Sequence, residues 1–95
     1  MASILTRISV GDYERWKPMF DQDVPGARAE ATSHRVLRDA DEPNEVFVIV
    51  EFATSDQARA GREKLLASGV LDRFPDHSAP RILEEAEHVD YQHRP

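Results

Sequence analysis

The chain opens on a β-type pattern. In SILTRISV (residues 3–10), Ile4, Thr6, Ile8 and Val10 fall on one side of a run rich in β-branched residues, which predicts a strand. Gly11 interrupts it. Asp12 is then an N-cap residue, and Tyr13, Trp16 and Phe20 follow at helical spacing. Pro18 lies inside that segment, where proline loses a backbone donor and crowds the turn before it, at about 3 kcal/mol. A kink is expected there, or two short helical turns meeting at Lys17. Pro25-Gly26 ends the region as a turn.

Residues 29–39, AEATSHRVLRD, are mixed and charged, as edge strands are. DEPN (41–44) is a turn signal, so a hairpin leads into residues 45–53. Thr54 and Gln57 have the spacing of a capping box opening a helix through about Ser68, with Gly69 suited to its C-terminal cap. VLDRF (70–74) adds a short turn before Pro75. Residues 81–91, RILEEAEHVDY, are rich enough in Glu and Ala for a helix. Pro80 in front and the Val-Asp-Tyr end favour a last strand. The order strand, helix, strand, strand, helix, strand predicts an α+β, ferredoxin-like βαββαβ domain over residues 1–95. Both helices cover one face of a four-stranded antiparallel sheet, with strands one and three in the centre.

One stretch does not fit a sheet covered on one face only. Six of the seven residues from Val46 to Phe52 are apolar, so both faces of that strand are greasy. Val46, Val48, Val50 and Phe52 suit the helix side. Phe47 and Ile49 then point the other way with Leu5. Burying such a side chain contributes about 1.5–3 kcal/mol, and exposed patches of that kind mark interfaces. A homodimer with two sheets face to face is expected. Arg7 and Glu51 fall on the same face. Either they pair inside the dimer, since neither is left alone when buried, or both sit at the sheet margin in water.

Composition narrows the partners. The chain has 95 residues, no cysteine and a formal charge of −6. Disulfides, thiolate metal sites and a cysteine nucleophile are therefore excluded. An acidic chain without a Lys/Arg cluster is a poor nucleic-acid binder. No apolar run approaches the length of about 20 residues that spans a bilayer, and no signal peptide is evident, so the cytoplasm is the expected compartment.

The order of elements, the greasy third strand ending in Glu-Phe and the helix DYxxWKPxF resemble the antibiotic-biosynthesis-monooxygenase-like group of dimeric α/β-barrel proteins. The SHRVLRDADEPNEV hairpin resembles small actinobacterial members labelled as cyclases. The resemblance covers nearly the whole chain and speaks for fold more than for activity. It implies a dimeric α/β barrel with a pocket between helices and sheet in each subunit. It also implies relatives that are cofactor-free monooxygenases, haem-degrading enzymes or isomerases. The haem-degrading relatives use a tryptophan near the end of the third strand, a histidine on the second helix and an asparagine on the first strand. Those places here hold Phe52, Arg62 and the Thr6–Arg7 region, so haem degradation is rejected and no cofactor is expected.

Against that implied pocket, Trp16 and Phe20 are wall candidates with Phe52 and Phe74, although an aromatic stripe at helical spacing also simply packs a core. His34 is a candidate acid or base at neutral pH. One step of hairpin register decides which face it takes. Arg35, with Ser33 and Arg38 nearby, is a candidate to hold an anionic oxygen, or is edge-strand solvation. His77, in the loop PDHSAP, can stand over a pocket mouth. Asp76-His77-Ser78 is no triad, because adjacent side chains diverge. His88 and His93 show no ligand spacing with His34, so no metal is expected. Glu84, Glu85 and Glu87 read as a solvated face.

Two functions follow. One is a small cofactor-independent enzyme, a monooxygenase or cyclase, acting on an aromatic or polyketide-type molecule. It would bind a phenol in a dry cavity and deprotonate it toward oxygen or ring closure. The other is a non-catalytic dimeric protein that binds a small hydrophobic ligand or serves as an accessory subunit.

Overall fold

The middle of the sheet is β1 (Ala2–Ser9) beside β3 (Glu45–Phe52) in a computed structural model that describes residues 1–92. His93 lies outside the described residues. β2 (Ser33–Arg38) pairs antiparallel with β3 on one edge, and β4 (Arg81–Glu84) pairs antiparallel with β1 on the other, giving the order β2-β3-β1-β4. The two apolar strands are the central ones and the charged strands are the edges. Helices α1 (Tyr13–Asp21) and α2 (Ser55–Ser68) complete the βαββαβ order, with a short 3-10 helix at Val70–Arg73 before β4. The architecture is ferredoxin-like α+β.

The register explains the two greasy faces. Ile4, Thr6 and Ile8 stand opposite Val50, Val48 and Val46, and all six are buried on the helix side. Leu5, Phe47 and Ile49 take the other face and are half-buried. Val46 and Phe52 are the largest fully enclosed side chains. Above them α2 comes in close at Gly61, where a Cβ would lie 2.7 Å from the Ala27 carbonyl oxygen and 3.0 Å from Phe52 Cζ. Only glycine lets the helix approach the sheet that far.

The helix ends follow their caps. The Asp12 carboxylate accepts from the Glu14 N–H at 3.0 Å, and the Thr54 hydroxyl accepts from the Gln57 N–H at 3.2 Å. Only half of the capping box forms, because Gln57 Oε1 is buried without a partner among the described residues. Gly69 closes α2 in the left-handed region at φ 71°. The expected break at Pro18 does not occur: α1 runs unbroken through it. Pro18 deprives the Glu14 carbonyl of its donor, but both residues are exposed, so water can satisfy that oxygen.

Two strands are shorter than their sequence pattern. β4 ends at Glu84 rather than near Tyr91, because pairing lasts only while β1 offers partners. Ala2 faces Glu84, and the Glu85 N–H still reaches the Met1 carbonyl. β2 begins at Ser33 rather than residue 29, since residues 27–30 are turns tied to Asp23, which accepts from the Arg28 N–H at 3.1 Å.

The Arg7–Glu51 pair is also corrected. The register places Arg7 opposite Phe47 and Glu51 opposite Ser3, too far along the strand to meet. Arg7 instead bonds Glu45 and, at 2.9 Å, Asp76. These bonds, to Glu45 first and then Asp76, hold its guanidinium firmly charged. Glu51 accepts from the Ser33 hydroxyl. Among the described residues no helix is long and apolar enough to cross a membrane.

Candidate functional site

The two helices sit differently on the sheet. α2 packs against β1 and β3, whereas α1 stands off from it. The gap is a cavity of about 240 Å³. Its floor is the covered face of the central strands: Ile4, Thr6, Ile8, Val48 and Val50. Trp16, Met19 and Phe20 of α1 form one wall. The opposite wall comes from Leu65 at the end of α2, Val70 and Leu71 of the 3-10 helix, and Phe74. The segment from Gln22 to Arg28 crosses one side.

The α1 wall is a ladder of rings at helical spacing. Tyr13 and Trp16 have centroids 5.9 Å apart, and Trp16 stacks on Phe20 at 4.9 Å. Cations fix both ends. The Arg38 guanidinium lies 4.1 Å over Tyr13 and that of Arg28 3.8 Å over Phe20. Arg28 also donates to the Phe20 carbonyl and stands 3.5 Å from Asp23, so the connector is locked to the end of α1. Asp23 adopts a left-handed φ of 46° to make that turn. The stack meets the sheet at its β2 edge, through Arg38 and His34, and the space over the central strands stays open.

Polar groups on the cavity wall are few. Asp23 and Arg28 are paired with each other. Arg73 is exposed at the rim with no ionic partner among the described residues. Thr6 is the one buried polar residue among the described residues, 4% exposed on the floor.

The residues singled out by the sequence separate in space. Trp16, Phe20 and Phe74 line the cavity. Phe52 lies on the same face of the sheet but is enclosed in the solid part of the core and does not line it. His34 faces the helices, since it stands opposite Val50. Its ring meets the Phe20 edge at 5.3 Å and does not line the cavity. Arg35 stands opposite Ile49 on the open face, on the other side of the sheet from His34. His77 bridges to Ile8, and its Nδ1 donates to the Phe74 carbonyl, so it braces the loop under Phe74. Among the described residues no three His, Cys, Asp or Glu side chains gather. Sequence reasoning missed Thr6, Arg28 and Arg73 as wall residues. Only Thr6 left a signal, a hydroxyl in the otherwise apolar row Ile4, Ile8, Val10.

Two solved structures have this arrangement of elements. Rv0793 from Mycobacterium tuberculosis matches with a TM-score of 0.67 at 12% identity, over 94% of this chain and 98% of that one. A candidate antibiotic biosynthesis monooxygenase from Deinococcus radiodurans matches with a TM-score of 0.60 at 13% identity, over 98% of this chain and 100% of that one. This chain has their fold. At that identity the likeness carries architecture and not chemistry. No family model and no curated protein matches the sequence.

Proposed function

We propose that the chain binds a small aromatic molecule between α1 and the sheet and oxygenates or cyclises it without a cofactor. The observation that carries this reading is the cavity itself: about 240 Å³, walled by Trp16 on Phe20 and floored by Ile4, Val48 and Val50. Dry cavities of about 150 Å³ already take up benzene. Two fused rings fit inside, and further rings can extend through the open mouth beside Val24 and Met19. Stacking on Trp16 favours a flat ligand. For an electron-rich anthrone-type phenol the reaction balances simply. A ring methylene becomes a carbonyl with one oxygen atom of O2, and the other leaves as water.

A second reading, a binding or accessory protein without catalysis, rests on a different observation. Asp23 is the cavity's one carboxylate among the described residues, and Arg28 holds it; no histidine lines the wall. Oxygen uptake with anthrone-type substrates separates the two. Turnover supports the enzyme, and binding without uptake supports the binding protein. Absence of binding contradicts both. His34→Ala tests the ring behind Phe20: retained turnover would assign His34 to packing, and loss would return it to proton transfer.

The reading includes a homodimer across the open face. Leu5, Phe47 and Ile49 are half-buried there, flanked by Leu37 at 45% and Leu83 at 41% exposure. Sedimentation should report a particle of twice 10.8 kDa, and Phe47→Asp should return it to monomers. A wild-type monomer at micromolar concentration would contradict the dimer.

A further inference from the structure

The Thr6 hydroxyl opens on the cavity. It sits mid-strand on the floor with only 4% of the residue exposed, yet its oxygen is not among the sealed-in polar atoms that lack a partner, of which Gln57 Oε1 is the one among the described residues. Its neighbours on that face are Ile4, Ile8 and Val48. Valine has nearly the same shape and an equal taste for strands, and it would fill the position without a polar atom. A buried hydroxyl left unpaired costs stability. The hydroxyl is not sealed in, because the cavity lies over it. It is therefore a polar group aimed at whatever fills the cavity.

A second group stands at the other end. The Arg73 guanidinium is at the rim, and the other cationic side chain of the wall, Arg28, is neutralised by Asp23 and capped on Phe20. Gln22 and Ser68 also reach the wall, and the rest of it is aliphatic or aromatic. Two polar contacts separated by an apolar span describe an amphiphilic ligand.

We infer that the cavity takes a flat aromatic acid: its hydroxyl or carbonyl oxygen hydrogen-bonds the Thr6 hydroxyl at the floor, and its carboxylate meets Arg73 at the mouth. This rests on the aromatic-cavity reading above and adds the ligand class and its orientation. Thr6 sets which oxygen-bearing position goes deepest. Arg73 selects anions over neutral rings, and its contribution falls with salt because it is exposed.

Four probes test this: 6-hydroxy-2-naphthoate, 2-naphthoate, 2-naphthol and naphthalene. Affinities are read from quenching of Trp16, the one tryptophan of the chain. The hydroxynaphthoate should bind tightest. Thr6→Val should weaken the two hydroxylated probes about three- to tenfold, the loss of one hydrogen bond, and leave 2-naphthoate unchanged. Its thermal midpoint should equal or exceed that of the wild type. Arg73→Gln should weaken the two carboxylates about two- to fivefold, remove their salt dependence and spare 2-naphthol. Equal affinity for all four probes would overturn the inference and leave the aromatic cavity standing. Quenching by none would overturn both. A lower midpoint for Thr6→Val with uniform loss of binding would make Thr6 structural and likewise overturn it.

Discussion

The two helices lie on the same face of the same sheet and do opposite things. α2 presses down until Gly61 meets the Ala27 carbonyl and Phe52, and that half of the core is solid. α1 carries the larger side chains, Trp16 and Phe20, yet leaves about 240 Å³ empty beneath them. Bulk alone does not fill a core. The residue that decides closeness is the smallest one, at the point of contact. On α1 the rings spend much of their surface on each other, on Arg28 and on Arg38 and His34 of the edge strand β2. A helix stiffened by its own ladder can stand clear of the central strands and keep a cavity open.

The contrast can be broken first by truncation. Phe52→Ala in the solid half should cost about 3–5 kcal/mol in urea unfolding, the lost transfer energy plus a new void. Met19→Ala on the rim of the hollow half, where the residue is 39% exposed, should cost less than about 1 kcal/mol. Similar losses at the two sites would erase the distinction.

Adding volume sharpens it. Gly61→Ala should destabilise by about 1–3 kcal/mol, although alanine is worth about 1 kcal/mol more than glycine in a helix, because its Cβ meets backbone that cannot move aside. Val48→Ile extends into the cavity and should change stability by less than about 1 kcal/mol while weakening naphthoate binding. Next in size is Thr6→Val, which should change stability by less than about 1 kcal/mol in the absence of ligand, since the hydroxyl opens on the cavity and is not sealed in the core.

The smallest effect lies outside both halves. His88 is exposed beyond β4, and hydrogen bonding to Asp90, then the charge of Glu85, raises its pKa above 6.5. The charged form is the favoured one in the folded chain. Its contribution is therefore present in full below pH 6.5 and disappears as pH rises through the folded midpoint. NMR titration should place that midpoint above 6.5. The accompanying change in stability should be within error of His88→Ala, as expected of a solvated pair.

Much of the fold was legible because alternation and caps are local signals. β1 and β3 show their period along the chain, and Thr54 and Gly69 bound α2 by side-chain and backbone chemistry that needs no tertiary context. What could not be read depends on pairing or approach. The Val-Asp-Tyr end suits a strand, yet β4 stops where β1 stops offering partners. Arg7 found Glu45 and Asp76 instead of Glu51 because strand register sets who stands opposite. Strand alternation puts the adjacent candidates His34 and Arg35 on opposite faces, and register decided that His34 is the one toward the helices. The cavity was less legible still. Trp16, Phe20 and Phe74 could be named from their aromatic character. Leu65, Leu71 and Arg73 come to the wall only through the path of the chain after α2, and a void has no residue of its own to announce it.

The central claim is that the space between α1 and the sheet is a binding cavity and not loosely drawn packing. A crystal structure grown with 6-hydroxy-2-naphthoate tests it most directly. The account predicts ligand density between the Trp16–Phe20 stack and the floor at Ile4 and Thr6, with the hydroxyl toward Thr6. A structure in which α1 lies directly on Thr6 and Val48, with no room between them, would contradict it.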